Sequence, residues 1–228
     1  MNKFKVLFGA LSLLTASNVI ASHLVLDSFN YNPALLLEAT PDDILTVADE
    51  RVATAQVTSV ETGALADYTL TWLSGAAVDT AKGNAFGSGT LSYGEEPEAD
   101  GTLEIAYSLP GGLTLDFTGY SDFYFDVVSI DGSGGFDVML TLEDLDGTMI
   151  SATYNVASTG IFLASFASMT PGPDFDFSLV KSATAFISSI GAGDDFSLAS
   201  VGLVPEPSAL AILGLGLIGL GLRRRKLV

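Results

Sequence analysis

The sequence contains no cysteine and only one histidine, His23. Ser-His-Asp and Cys-His catalytic arrangements therefore lack members, and a zinc site built on His or Cys is excluded. Disulfides cannot stabilise the fold, so a hydrophobic core must do so, and the chain is long enough to form one. The glycine-rich segment 132–135 joins two predicted strands and opens no helix, so it is not a phosphate-binding loop.

Basic residues are scarce away from the two ends of the chain. Of nine Lys and Arg, only Arg51, Lys82 and Lys181 lie within residues 22–204, whereas only Glu206 of the 27 acidic residues lies outside that range. Such an acidic surface repels nucleic acid, so we expect no DNA or RNA partner. It favours solubility outside the cell and weak binding of divalent cations.

Residues 1–21 have the pattern of a signal peptide. Lys3 and Lys5 precede an apolar stretch, and small residues at the end of the segment predict that signal peptidase cuts between Ala21 and Ser22. The alternative is an N-terminal membrane span that is never removed. Either interpretation takes the middle of the chain, residues 22–204, out of the cytoplasm as one domain.

The C-terminal segment, 205–228, has three parts in a fixed order. A Pro205-Glu206-Pro207 motif precedes an uncharged apolar stretch, 208–222, and a basic cluster follows, made of Arg223, Arg224, Arg225 and Lys226. As a helix the apolar stretch reaches about 22 Å, a short transmembrane span, and the basic cluster acts as a stop-transfer signal. The two prolines predict an extended, accessible motif outside regular helix or sheet.

This order of motif, apolar helix and basic cluster resembles the PEP-CTERM sorting signal, which also carries a family name taken from the C-terminal domain of an ice-binding protein. The resemblance covers 205–226 and says nothing about ice. It implies an exported protein of a Gram-negative bacterium that enters the inner membrane transiently and is processed by an exosortase. The alternative is an ordinary membrane anchor that is never cut.

The middle of the chain predicts strand after strand. In 67–73, Tyr68, Leu70 and Trp72 share one face while Thr69 and Thr71 share the other. Turn signals such as Asp146-Gly147 separate the strands, and no stretch has a sustained helical period. This favours an all-β antiparallel sandwich or jelly roll, with strands predicted at 23–29, 44–60, 67–73, 85–92, 102–108, 113–117, 122–130, 136–143, 148–156, 161–167, 176–180, 183–190 and 195–203.

The 113–150 region looks like the middle strands of β-jelly-roll domains related to carbohydrate-binding modules. That resemblance implies a structural Ca²⁺ where the first and last strands meet, with Asp27 and Asp195 as ligands. Independently of that resemblance, sugar binding needs exposed aromatic rings beside polar groups, and Trp72, Tyr93, Tyr120 and Tyr124 are candidate platforms for a sugar ring; the alternative is that these rings belong to the core. The Asp144–Gly147 segment lacks both anchors of a calcium loop and is better explained as a turn.

Carboxylate pairs, which glycosidases use, are the only catalytic groups that remain. In so acidic a chain such pairs arise by chance, and acidic loops are usually solvated surface. We therefore expect a non-enzymatic protein delivered to the outer surface or extracellular matrix. The family resemblance implies association with exopolysaccharide or biofilm. A carbohydrate-binding, lectin-like module and a plain membrane-anchored envelope protein are the alternatives.

Overall fold

The computed structural model describes residues 23–30, 35–39, 52–59, 61–74, 81–86, 89–95, 100–131, 134–170, 174–189, 191 and 193–206. Within these residues the regular structure is thirteen β-strands and three short 3-10 helices. The strands are β1 (Leu24–Asp27), β2 (Leu35–Ala39), β3 (Val52–Thr58), β4 (Leu65–Ser74), β5 (Ala81–Phe86), β6 (Thr90–Glu95), β7 (Asp100–Ser108), β8 (Tyr120–Asp131), β9 (Phe136–Asp144), β10 (Met149–Val156), β11 (Gly160–Ser165), β12 (Val180–Ser189) and β13 (Asp195–Pro205).

The strands form two sheets, and every pairing between them is antiparallel. Sheet A has seven strands in the order β11-β8-β13-β6-β5-β2, with β1 paired to β13. Sheet B has six strands in the order β10-β9-β12-β7-β4-β3. The all-β prediction is therefore confirmed, and the last strand of the chain lies inside sheet A rather than at its edge.

Alternating side chains explain why these segments form a sandwich. In β9, Phe136, Val138, Leu140 and Leu142 are buried, while the residues between them are more exposed. A strand with this period buries one face and leaves the other to solvent. The rings of Phe136 in sheet B and Phe196 in sheet A stack 4.4 Å apart, so the buried faces of the two sheets share one core.

Several predicted strands need correction. The predicted strand 85–92 runs across the end of β5 and the start of β6, which are two strands of a hairpin, and Gly89 between them has φ 75°. Segment 113–117 contributes only an isolated bridge from Leu115 to Val180. Segment 176–180 is mostly a 3-10 helix, Phe177–Leu179, because the Asp176 side chain accepts a hydrogen bond from the Ser178 amide.

Of the two predicted terminal segments, 1–21 and 205–228, the structure describes only Pro205 and Glu206. Contacts divide the chain into a unit at Leu24–Glu206, which is the sandwich, and a second unit made of Met1–His23 and Pro207–Val228. The predicted signal peptide and the predicted transmembrane helix at 208–222 lie outside the described residues. Among the residues that are described, none belongs to a helix of the length and apolarity that a membrane crossing requires.

Candidate functional site

The first two residues of the Pro-Glu-Pro motif are part of the folded domain. β13 continues through Pro205, whose partner in the register is Tyr120 at the start of β8. The next residue, Glu206, donates its backbone N–H to the carbonyl oxygen of Gly119 at 2.8 Å. The prediction that the prolines keep the motif out of regular sheet is therefore wrong for Pro205, while Pro207 lies outside the described residues.

The position of Pro205 explains why a proline is tolerated there. Proline has no N–H to donate, so within sheets it occurs at strand ends, edges and bulges. Pro205 is the last residue of β13, and the register shifts between Val204 and Pro205. The chain therefore loses one donor at an irregular strand end, and the Glu206 amide restores the connection to the opposite strand.

A pocket of about 470 Å³ opens beside this strand end. Its floor is aromatic: the rings of Phe117 and Phe166 stack 5.9 Å apart, and Phe166 lies 5.6 Å from Phe177. The Phe117 amide also donates to the Phe177 carbonyl at 2.7 Å, which fixes the loop before β8 against the 3-10 helix. The pocket is lined by Phe117, Thr118, Gly119, Tyr120, Ser121, Ser165, Phe166, Ala167, Phe177 and Glu206.

This lining combines an apolar floor with polar groups at the rim. Thr118, Ser121 and Ser165 bring hydroxyl groups, and Glu206 brings the one carboxylate among the lining residues. Sites for small ligands usually have this character and a volume between about 300 and 1,000 Å³. The arrangement suits a small amphipathic ligand with an apolar face and several hydroxyl groups.

Of the predicted sugar platforms, Tyr120 lines this pocket, whereas Tyr93 and Tyr124 are buried elsewhere. Tyr124 lies on the outer face of sheet A but is only 3% exposed, because its ring packs against Gly202; its hydroxyl lies 3.4 Å from the Ser200 hydroxyl. Burial raises the pKa of Tyr124. A buried ring offers no platform, so that prediction is corrected; the backbone of Trp72 pairs with Gly101, and the side chain of Trp72 lies outside the described residues.

Asp27, one of the two predicted calcium ligands, is instead a buried hydrogen-bond acceptor. Its side chain is fully buried and accepts hydrogen bonds from the Phe29 amide at 2.8 Å, the Tyr68 hydroxyl at 3.1 Å and the Tyr107 hydroxyl at 3.3 Å. Tyr68 and Tyr107 belong to β4 and β7 of sheet B, whereas Asp27 ends β1 of sheet A. This carboxyl group therefore connects the first strand to the opposite sheet.

Asp195, the second predicted calcium ligand, lies far from Asp27. In the register of β1 and β13, Asp27 is opposite Val201, six residues beyond Asp195, and this spacing along a strand is about 20 Å. Asp195 is exposed, and its Oδ1 accepts the Glu95 amide at 2.9 Å. The two residues cannot share one ion, and the described residues contain no group of three or more acidic, His or Cys side chains arranged for a metal. Calcium binding itself stays a prediction.

The Asp144–Gly147 segment is the turn that the sequence predicts. The Asp144 side chain accepts the amides of Asp146 at 3.0 Å, Thr148 at 2.8 Å and Asp176 at 3.2 Å, and Gly147 has φ 85°. Burial by itself would raise the pKa of Asp144, but these hydrogen bonds hold it below its ordinary value. The carboxylate closes the β9–β10 hairpin and anchors the loop before β12.

Sequence reasoning missed most of the pocket because its aromatic residues look like core residues. Tyr120 carries the one usable signal, since a tyrosine beside Gly119 and Ser121 places an aromatic ring among polar neighbours. The contact of Phe166 with Phe117 joins segments that are distant in sequence, and local patterns do not encode such a contact. The same holds for the pairing of Glu206 with Gly119.

The fold and the strand end together define a two-sheet antiparallel β-sandwich that leads directly into a sorting motif. Residues 203–226 match the family described as the PEP-CTERM protein-sorting motif. The motif marks the chain for export through a membrane-anchored sorting signal and implies processing by an exosortase. None of the curated proteins matches this chain.

Solved structures similar to this chain include several carbohydrate-binding modules. The family 11 carbohydrate-binding module of the cellulosomal cellulase Lic26A-Cel5E of Clostridium thermocellum is 17% identical, with a TM-score of 0.34 and coverage of 74% of this chain and 94% of that one. A module specific for non-crystalline cellulose, CBM28, is 14% identical, with a TM-score of 0.29 and coverage of 73% and 97%. The agarase AgWH50C is 13% identical, with a TM-score of 0.39 and coverage of 81% and 26%. Sequence identities and TM-scores this low do not indicate a ligand for this chain.

Proposed function

We propose that this chain is the precursor of a non-enzymatic surface or extracellular-matrix protein that an exosortase releases from the inner membrane. The observation that carries the proposal is the match of residues 203–226 to the sorting motif. Its order of motif, apolar stretch and basic cluster supplies a recognition segment, a temporary membrane helix and a stop-transfer signal. The finer part, association with exopolysaccharide or biofilm, rests on the family resemblance.

The division of the chain supports this precursor arrangement. The compact unit that forms the sandwich ends at Glu206, so removal of the segment after the motif takes away none of the strands that the structure describes. The strongly acidic composition of 22–204 suits a protein that stays soluble outside the cell. The absence of cysteine and of a second histidine supports a non-enzymatic role, because the common nucleophile–base pairs have no members.

The intact mass of the mature protein from its native envelope and culture fluid tests this function. We expect the mass of a polypeptide that begins near Ser22 and ends near 205–208. The matched pair is Pro207→Ala, which alters the motif, and Pro110→Ala, which alters a proline in the loop after β7. Loss of processing in the first variant only supports the proposal, whereas a wild-type mass that retains 223–228 would identify an anchored envelope protein instead.

Saccharide binding at the pocket is a second candidate function. The specific observation is the aromatic floor with hydroxyl groups and one carboxylate at the rim. A sugar ring has an apolar face that packs on aromatic rings and hydroxyl groups that bond to polar side chains. This ligand class fits an exported protein of the matrix.

Glycan arrays and the exopolysaccharide of the same cells are the probes for the second candidate. We expect Tyr120→Ala to weaken binding at least tenfold, because Tyr120 lines the pocket. The matched control is Phe162→Ala, which removes another half-buried aromatic ring that lies outside the pocket lining. Absence of binding by the wild type, or equal binding by the two variants, would contradict a saccharide site there.

A further inference from the structure

The sorting motif begins inside a paired strand, and this has a consequence for its processing. Pro205 pairs with Tyr120, and the Glu206 amide is bonded to the Gly119 carbonyl at 2.8 Å. Pro205 is half-buried, and Glu206 contributes to the pocket wall. The backbone that a processing enzyme must hold is therefore already engaged by the sandwich.

We propose that the sandwich controls its own release, because the end of β13 must separate from Gly119 and Tyr120 before the motif is cut. A protease holds its substrate as an extended peptide over several residues, and backbone groups bonded within a sheet are not free to bind it. Cleavage of a folded protein then depends on the population of a locally opened state. This inference rests on the proposed function and specifies how it is regulated.

The strand end has the features of a segment that opens locally. β1 pairs with β13 as far as Leu203, so beyond that residue β8 is the one partner that β13 has among the described strands. The register shift between Val204 and Pro205 interrupts the ladder just before the motif. Two residues beyond an interrupted ladder separate far more easily than the strand centre, where β13 has partners on both sides. The rest of the sandwich stays folded when they do.

The pairing also makes access to the motif depend on whether the sandwich is folded. An unfolded or incomplete sandwich leaves the motif unpaired, whereas a complete sandwich holds it. Cleavage is consequently faster for a chain whose sandwich is incomplete than for the folded chain, in which cleavage depends on opening of the strand end. The rate of release is thus set by the strand end and not by the motif alone.

A lock and a spacer test the inference in the full-length precursor, expressed with an exosortase in a Gram-negative envelope. The lock is a disulfide between Val204→Cys and Asp122→Cys, which are direct cross-strand partners, and the chain has no other cysteine. The spacer is Gly-Ser-Gly-Ser inserted between Val204 and Pro205, which moves the intact motif away from Gly119. The control disulfide joins Met139→Cys and Thr153→Cys, partners in sheet B.

The readout is the rate at which the tail is lost, followed by intact mass. We expect the lock to slow cleavage at least tenfold, the spacer to accelerate it, and the combination of lock and spacer to be cut as fast as the spacer alone. The control disulfide should leave the rate unchanged. Equal rates for wild type, lock and spacer would overturn the inference while leaving the proposed function intact; absence of cleavage in every variant, the spacer included, would refute both.

Discussion

The buried carboxyl group of Asp27 gives the sharpest test of how the sandwich is held together. Asp27 accepts hydrogen bonds from the Phe29 amide and from the Tyr68 and Tyr107 hydroxyls, and all three polar side chains are at most 1% exposed. Substitution Asp27→Ala removes the acceptor from three buried donors at once. Each buried donor that loses its acceptor costs about 1–3 kcal/mol, although water entering the space recovers part of this.

The three donors together would cost about 3–9 kcal/mol. Because the bond from Tyr107 is long, at 3.3 Å, we place the total at the lower end of that sum. We expect Asp27→Ala to lower the free energy of unfolding by about 3–4 kcal/mol. For a domain of this size that loss corresponds to a fall in the melting temperature of about 10 °C. Asp27→Asn should lose less, because it keeps an acceptor oxygen for the Phe29 amide.

Thermal unfolding followed by circular dichroism measures the difference, with Asp137→Ala as the matched control. Asp137 also lies on a strand and also accepts a side-chain hydrogen bond, from Asn155 at 3.0 Å, but on the exposed face of sheet B. Its loss should change the free energy of unfolding by less than about 1 kcal/mol. If the two Ala variants melted at the same temperature, the claim that Asp27 fastens β1 to sheet B would be refuted.

The same measurement with a chelator tests the calcium prediction. If Asp27 holds an ion, removal of calcium should lower the melting temperature of the wild type and leave the Asp27→Ala variant unchanged. If the hydrogen bonds alone account for its burial, the chelator should not alter the difference between the two proteins. A chelator effect of equal size in both proteins would place a calcium site elsewhere.

Three further predictions follow from single sites. Gly202→Ala should destabilise the sandwich by at least about 2 kcal/mol, because an added Cβ would lie 2.7 Å from the Tyr124 ring and closer still to the Leu24 carbonyl; Gly94→Ala, which meets the movable Asp195 side chain at 3.1 Å, is the control in the same melts. Since the pKa of Asp144 is lowered on folding, its contribution should be present at neutral pH and lost as the pH falls below about 4, so Asp144→Asn and wild type should converge in acid. Burial, together with the hydrogen bond and charge of Glu95, raises the pKa of Tyr93 above its ordinary range, so wild type should lose stability above about pH 10 and Tyr93→Phe should lose less.

Local sequence patterns predicted the strands that have a regular period and a clear turn. β9 and β10 illustrate this, because alternation fixes their buried faces and Asp146-Gly147 fixes the hairpin. β2 was missed because its sequence, LLLEA, has no alternation, and a run of apolar residues this short does not distinguish strand from helix. Elements with a strong local signal were therefore found, and those without one were not.

The candidate site depends on contacts that no local pattern contains. Tyr124 lies between Phe123 and Phe125, which face the core, so alternation places its ring on the outer face of sheet A. It is nevertheless buried, and Gly202, far away in sequence, is what leaves room for the ring against β13. The sequence suggested an exposed platform because the burial of that ring is determined by a glycine on a neighbouring strand.

The position of β13 connects the fold to the sorting signal more closely than the order of segments suggests. β13 lies between β8 on one side and β6 and β1 on the other, so sheet A has no centre until residues 195–205 are in place. Among the described strands β13 is the one that pairs with β1, so β1, which comes first in the sequence, cannot pair until the last strand is in place. The strand that completes the sheet overlaps the motif, because Pro205 is the last residue of β13 and the first residue of the motif. Completion of the sandwich and engagement of the motif by Gly119 and Tyr120 are consequently one structural event.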